Sequence, residues 1–164
     1  MRKSPGQRFD DAKAANYVSQ VVDALEYLHS KNVIHRDIKP ENLLNCNGTI
    51  KLSDFGWSTH TPENNRNTFC GTLDYLPPEM VNRTAYNQSV DVWSLGILAY
   101  ELLTGSPPFE SETHEETYEK IKEVKLYFGN NISATAKHFI SSVLKVNGND
   151  RPSLAEIKVH PWLN

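Results

Sequence analysis

The dipeptide Asn47-Gly48 is the tightest constraint in the sequence. A two-residue β-turn needs left-handed backbone at its central positions, which asparagine and glycine tolerate best. The residues that follow, Thr49-Ile50-Lys51-Leu52, alternate polar and apolar as a half-buried strand does. Such a turn fixes register: Cys46 must face Thr49, and continuing outward sets Asn42 opposite Ser53 and Glu41 opposite Asp54. The spacing therefore predicts that a carboxamide, Asn42, and a carboxylate, Asp54, land side by side at the open end of one ribbon. Oxygen donors of this kind suit a hard cation such as Mg2+, completed by phosphate and water oxygens. Asp37 and Lys39 lie a few residues upstream on the same loop. A carboxylate there can accept a hydroxyl proton, and an ammonium can offset charge on a transferring phosphoryl group. Any one of these residues alone reads as an ordinary turn or cap residue; the argument rests on the set.

Around this ribbon the periodicity is helical. Val18, Val21, Val22, Leu25 and Leu28 recur at three- and four-residue spacing behind Asp10 and Asp11, either of which can cap a helix that ends before His35. Residues 91–103 are apolar nearly all round and predict a buried helix, stopped by Gly105 and Pro107-Pro108. Residues 115–125 read as a surface helix. Ser133 caps another, with Ala136, Phe139, Ile140, Val143 and Leu144 on one face. Ser153-Leu154-Ala155-Glu156 is a capping box ahead of a short last helix. Residues 56–80, with Pro62, Pro77 and Pro78, show no sustained period and read as a long loop, either functional or disordered. The fold class expected is mainly α, with one small β-ribbon.

Length and composition narrow the function classes. The 164 residues fit one domain, and a net charge of −3 gives no argument for nucleic acid or an anionic membrane. The apolar stretch 90–103 contains Asp91, Ser94 and Glu101 and is too short to span a bilayer. Residues 1–13 are charged and polar, without the apolar segment of a signal peptide. The two cysteines, Cys46 and Cys70, make neither a disulfide framework nor a metal-ligand spacing, which suits a reducing, intracellular compartment.

The string His35-Arg36-Asp37-Ile38-Lys39-Pro40-Glu41-Asn42, with Asp54-Phe55-Gly56 beginning 12 residues after its Asn, resembles the eukaryotic protein kinases. Asp54-Phe55-Gly56-Trp57-Ser58, the run from Gly71-Thr72-Leu73-Asp74-Tyr75 through Leu76-Pro77-Pro78-Glu79-Met80, and Asp91-Val92-Trp93-Ser94-Leu95-Gly96 narrow the resemblance to the Aurora kinases, over residues 7–162. The resemblance implies that residues 1–164 are the C-terminal lobe of a kinase domain, with a catalytic loop at 35–42 and an activation segment at 54–79. The implied activity is transfer of the ATP γ-phosphate, with Mg2+, to serine or threonine of protein substrates that carry nearby basic residues. Asp37 is then the catalytic base, Lys39 contacts the γ-phosphate and Thr72 bridges the two. Asn42 and Asp54 hold Mg2+, the Glu41 backbone lies by the ribose and Leu44 forms the floor under adenine. Arg36 pairs with a phosphate on Thr68, the activation-loop residue of Thr68-Phe69-Cys70-Gly71-Thr72. Glu41 and Glu101 receive an arginine two residues before the target hydroxyl, although Glu101 reads equally well as an ordinary helix-surface residue. Arg66 stands two positions before Thr68, consistent with self-phosphorylation in trans. Structural roles fall to His35, Phe55, Asp91 as a brace for the catalytic loop, and Glu79 paired with Arg151. Mitotic activator or scaffold partners and a nuclear, spindle or centromere setting follow from the same resemblance; nucleic-acid and membrane partners do not.

The sequence also departs from the kinase pattern. That pattern places a Gly-rich loop and a strand lysine ahead of the catalytic loop. The 34 residues before His35 hold one glycine, Gly6, and Lys3, Lys13 and Lys31 follow no Val-Ala-Ile-type strand. Gly148 stands where proline is commoner, and Phe69 where a smaller apolar residue is. The expectation is a polypeptide that holds half of an ATP clamp, is weak or inactive alone, and exposes apolar surface around Leu44 and Phe55. Two other readings stay open: a non-catalytic docking module, against which the retention of Asp37, Lys39, Asn42 and Asp54 counts, and a half that complements a separate N-terminal lobe.

Overall fold

A computed structural model of the chain describes residues 8–60 and 71–164. Helix α1 (Asp11–Ser30) begins at Asp10, whose carboxylate accepts the Lys13 N–H at 2.8 Å. Its buried stripe of Ala14, Val18, Val21, Val22 and Leu25 takes in the predicted apolar face except Leu28, which is only partly buried. Strand β1 (Val33–Ile34), a 3-10 turn (Pro40–Asn42), β2 (Leu43–Cys46) and β3 (Thr49–Leu52) follow. β2 and β3 pair antiparallel with Cys46 opposite Thr49 and Leu43 opposite Leu52, the register dictated by the turn. Asn47 and Gly48 both have positive φ, 51° and 92°. Gln20 of α1 completes the outer edge of the ribbon: its amide donates to Gly48 O at 3.0 Å and accepts from Ile50 N at 2.7 Å.

The single ribbon expected from the sequence has a companion. β1 pairs antiparallel with β4 (Thr59–His60), Val33 opposite His60. Two residues on each side are too few to show a period of two, so nothing in the pattern announces them. For the same reason the stretch 56–80, read as loop, holds β4, a 3-10 turn (Leu73–Tyr75) and all but the last residue of the four-residue helix α2 (Pro78–Val81) within its described parts.

Helix α3 (Ser89–Thr104) is the axis of the core. Trp93, Leu95, Ile97, Leu98 and Leu102 are fully buried, and Gly105, left-handed at φ 99°, ends the helix. α1 crosses one side of α3 and α5 (Ala134–Val143) another, with Ala136, Phe139, Ile140 and Val143 facing inward. α4 (His114–Glu123) is peripheral; it buries only Thr117 and Ile121. α6 (Leu154–Lys158) opens with the capping box, Ser153 and Glu156 satisfying each other's backbone N–H groups. About half of the described chain is helical, with small antiparallel sheets. No described helix is long and apolar enough to cross a membrane.

The α3–α5 crossing depends on Gly96. A Cβ there would lie 2.6 Å from Val143 Cγ2 and 2.8 Å from Leu144 Cδ2, both held in the core. Overpacking of this kind costs about 1–3 kcal/mol. Gly96→Ala is therefore expected to lower the urea midpoint with the m-value unchanged; an unaltered midpoint would show that α5 shifts freely.

Candidate active site

The loop between β1 and β2 is positioned by one buried carboxylate. Asp91, in the first turn of α3 and fully buried, accepts the His35 N–H at 3.0 Å through Oδ2 and the Arg36 N–H at 2.9 Å through Oδ1. His29, at the end of α1, meets Oδ2 at 2.8 Å. Arg36 has φ 69°, a left-handed backbone unusual for a residue with a side chain, and these bonds hold it there. His35 is buried beneath the loop. Its Nδ1 accepts the Asp37 N–H at 3.3 Å, so Nε2 carries the proton and donates to Ser53 O at 3.3 Å. The ring stands edge-on to Phe55, centroids 5.0 Å apart.

Asp37 is consequently presented with its side chain almost enclosed, 3% exposed. Oδ1 accepts from Thr72 Oγ1 at 3.0 Å; Oδ2 accepts from Lys39 Nζ and Asn42 Nδ2, each at 2.9 Å. Lys39 Nζ also donates to Thr72 Oγ1 at 2.6 Å. Asp37, Lys39 and Thr72 thus form a closed triangle from two segments more than thirty residues apart. The arrangement sets a proton acceptor, an ammonium and a hydroxyl within hydrogen-bond reach of one another.

Asn42 and Asp54 are arranged differently from the expectation. The ribbon register does run one step past the ladder, the Ser53 N–H donating to Asn42 O at 2.9 Å. It stops there, because Pro40–Asn42 wind into a 3-10 turn and Asp54 takes a left-handed φ of 60°. Glu41 and Asp54 form no ladder pair. The Asn42 amide is turned onto Asp37, donating also to its backbone O at 2.8 Å, while Asp54 Oδ1 accepts the Gly56 N–H at 3.1 Å. Among the described residues, Asn42 Oδ1 and Asp54 Oδ2 meet no protein donor. They are hard oxygen donors, suited to Mg2+. No group of three His, Cys, Asp or Glu side chains able to hold a metal occurs among the described residues, so a cation here would need further oxygens from phosphate or water.

The remaining candidate residues fall around this centre. The Arg36 guanidinium donates from Nε to Trp57 O at 2.6 Å and from Nη1 to the Tyr86 hydroxyl at 2.7 Å. Thr68, with Arg66, Phe69 and Cys70, lies outside the described residues. Glu101 is not a plain helix-surface residue: its Oε2 accepts from the buried Tyr75 hydroxyl at 2.6 Å. Burial pushes that hydroxyl well above its usual range; the Glu101 carboxylate adds to the rise, and Glu41 and Asp74 act in the same direction. Glu41 and Glu101 therefore belong to one acidic neighbourhood. Glu79 and Arg151 pair through the two terminal guanidinium nitrogens, at 2.6 and 2.8 Å, and the Arg151 side chain is fully buried. Gly148 lies against this pair, where a Cβ would come 2.5 Å from Ser89 Oγ. Leu44, Phe55 and Trp57 are each about half exposed.

Four participants escape a reading of the sequence. His29, Trp57 as a carbonyl acceptor, Tyr75 and Tyr86 carry no motif for these contacts. Their partners are between 21 and 62 positions away on other segments, and only the folded packing brings them together.

The protein kinase domain family matches residues 2–163. Aurora kinase A-B of Xenopus laevis is 53% identical over 157 residues, covering 95% of this chain and 38% of that protein. Aurora kinase C of Mus musculus is 52% identical over 158 residues, covering 96% and 57% respectively. Aurora kinase B of Drosophila melanogaster is 49% identical over 164 residues, covering 99% and 50%. The chain spans between 38% and 57% of the length of these relatives.

Removing the Asp91 carboxylate leaves the His35 and Arg36 N–H groups buried without an acceptor, at about 1–3 kcal/mol each. Asp91→Ala is expected to lower the urea midpoint. It should also speed hydrogen exchange at those two amides more than at the α3 amides. Uniform acceleration at all sites would mean that Asp91 supports the fold without specifically bracing the loop.

Proposed function

From the premise that the chain belongs to the protein kinase family, with Aurora kinases as curated relatives, we propose that it carries the phosphate-transfer half of a serine/threonine protein kinase site. The observation that supports this most is the triangle of Asp37, Lys39 and Thr72, backed by Asn42. Asp37 accepts the proton of the attacking substrate hydroxyl. Thr72 and Asn42, each bound to one of its oxygens, limit its rotation so that the carboxylate does not have to be oriented during the reaction. Lys39 lies close enough to Asp37 to neutralise charge gathering on the γ-phosphate of ATP. Asn42 and Asp54 would hold Mg2+, which supplies further neutralisation of the phosphates when bound.

The half-exposed Leu44 provides an apolar floor for adenine, and the Glu41 main chain flanks the ribose. Glu41 and Glu101, the latter bonded to Tyr75, receive an arginine two residues before the target hydroxyl, a pairing that can be bidentate. Arg36 would take a phosphate on Thr68, and Arg66 makes that threonine a substrate of a second copy. Residues 1–164 correspond in this reading to a C-terminal kinase lobe, and mitotic activator or scaffold proteins at the nucleus, spindle or centromere are the partners it suggests. The eight glycines of the 164 residues are scattered and build no phosphate-covering loop. As an isolated polypeptide the chain is therefore expected to bind ATP poorly, in a wet site where charges are screened.

The test is a phosphorylation assay with Mg-ATP and a serine peptide bearing arginine two residues upstream. Alone, the 164 residues should give a rate near background. Supplied with an N-terminal kinase half carrying a Gly-rich loop and strand lysine, they should turn over. Asp37→Asn should then reduce kcat by about 100- to 10,000-fold. Thr72→Ala should cost up to about 100-fold through loss of positioning, with little change in KM. Replacing the upstream arginine by alanine should raise KM instead. A restored rate indifferent to Asp37→Asn would remove the proposal.

A further inference from the structure

Two histidines outside the candidate active site are bonded to each other, and their protons can be counted. His138 of α5 and His160, just past α6, meet Nδ1 to Nε2 at 2.7 Å, with ring planes 18° apart. His160 Nδ1 accepts the Trp162 N–H at 3.1 Å, so that nitrogen carries no proton. Neutral His160 is then protonated on Nε2 and donates to His138 Nδ1, and neutral His138 carries its own proton on Nε2. The neutral pair holds two protons and has no unshared acceptor nitrogen. A third proton has two destinations. On His160 Nδ1 it takes the lone pair that holds the Trp162 N–H. On His138 Nδ1 it sets two N–H groups against each other at the same short distance. The same count leaves His160 Nε2 no lone pair for a transition metal in this arrangement.

What the pair holds is substantial. Trp162 is buried; its ring lies 4.9 Å from that of Phe139, and its Nε1 donates to Asp11 Oδ2 at 3.1 Å. Asp11 also accepts from Ser133, the cap of α5, at 2.9 Å. His160 stands edge-on to Phe139, centroids 5.2 Å apart, and its backbone O accepts from Asn164 at 3.0 Å. The last residues thereby join α1, α5 and α6.

We propose that the His138–His160 pair is an acid-sensitive latch, which in its neutral form seats Trp162 against Phe139 and Asp11 and which on gaining a third proton releases residues 160–164. Burial and the neighbouring His138 push His160 below its usual value. The charged groups around the pair do not offset this by a direct bond to either ring. Glu156 of α6 is held by Ser153 and Arg151 by Glu79, while Lys145 and Asp150 line the same open groove, about 620 Å³ in volume. Asp11, from α1, is engaged by Trp162 and Ser133. A histidine whose folded value is lowered binds fewer protons folded than unfolded. Its contribution is full above about pH 6.5 and is lost as pH falls through that value towards the lowered one. Each excluded proton reduces the folding constant by up to about tenfold per pH unit in that window.

The test uses the whole chain at pH 7.5 and 5.5. Hydrogen exchange, corrected for its intrinsic pH dependence, should accelerate at least tenfold at the Trp162 and Leu163 amides at the lower pH, while the α3 amides change less. The folding midpoint should fall in parallel. In His160→Asn the amide oxygen can still accept the Trp162 N–H as an Asx turn, so the fold persists and both pH effects should flatten. His138→Gln keeps an acceptor for His160 Nε2–H and should show a reduced but surviving effect. Ring 15N shifts should show His160 protonated on Nε2 alone at pH 7.5. Equal pH dependence in the wild type and His160→Asn, or a proton on His160 Nδ1 at pH 7.5, would overturn the proposal. If His160→Asn fails to fold, the wild-type ring titration and His138→Gln still decide it.

Discussion

A single carboxylate at the start of the most buried helix ties the loop of the candidate site to the core. Asp91 is desolvated completely, a costly state for an ion unless donors surround it, and its donors are two consecutive backbone amides of the loop and a histidine of α1. The requirement works in both directions. The core helix needs the loop's N–H groups to satisfy its charge, and the loop needs the helix to hold Arg36 in a left-handed conformation. With residues 35 and 36 fixed, Asp37 has little freedom, and Thr72, Lys39 and Asn42 can close around it.

A second polar anchor in the interior repeats this logic. Arg151, with no exposed side chain, bonds Glu79 through two nitrogens, donates to Lys145 O and Ser89 O, and places its guanidinium over Trp93 at 5.1 Å. It joins α2, the start of α3 and the loop before α6. Buried ion pairs add little net stability against a well-packed apolar alternative, but breaking one is expensive. Such a pair therefore suits a place where separate segments must meet in one arrangement. The segment carrying Thr72 is one of those, because it runs directly into α2.

Legibility in the sequence followed the length over which a local signal was sustained. The apolar stripe of Val18 to Leu25, the all-round apolar run of α3 and the face Ala136 to Val143 each repeat several times, and each helix is found where its pattern lies. The Asn47-Gly48 turn is short but chemically unambiguous, and its register holds to Asn42 and Ser53. It fails one residue later, where Pro40 imposes a helical turn and Asp54 turns left-handed. That is why Asn42 faces Asp37 and not Asp54. The pairing of β1 with β4 and the contacts of His29, Tyr75 and Tyr86 were not legible, because they are set by packing between elements distant in the chain. Asp37 and Lys39 are legible from their place beside the ribbon and Thr72 only from the kinase resemblance; the hydrogen bonds that join the three are set by packing between segments more than thirty residues apart.

The amide of Gln20 has a consequence for how the chain can meet other proteins. It occupies Ile50 N of β3 and Gly48 O of the turn before it, groups that an incoming extended segment would need to zip onto there. A helix side chain thus poses as one rung of a third strand. Recognition by strand addition is blocked at that rung. A partner approaching from that side finds those two backbone groups already taken, beside the turn that sets the alignment delivering Asn42.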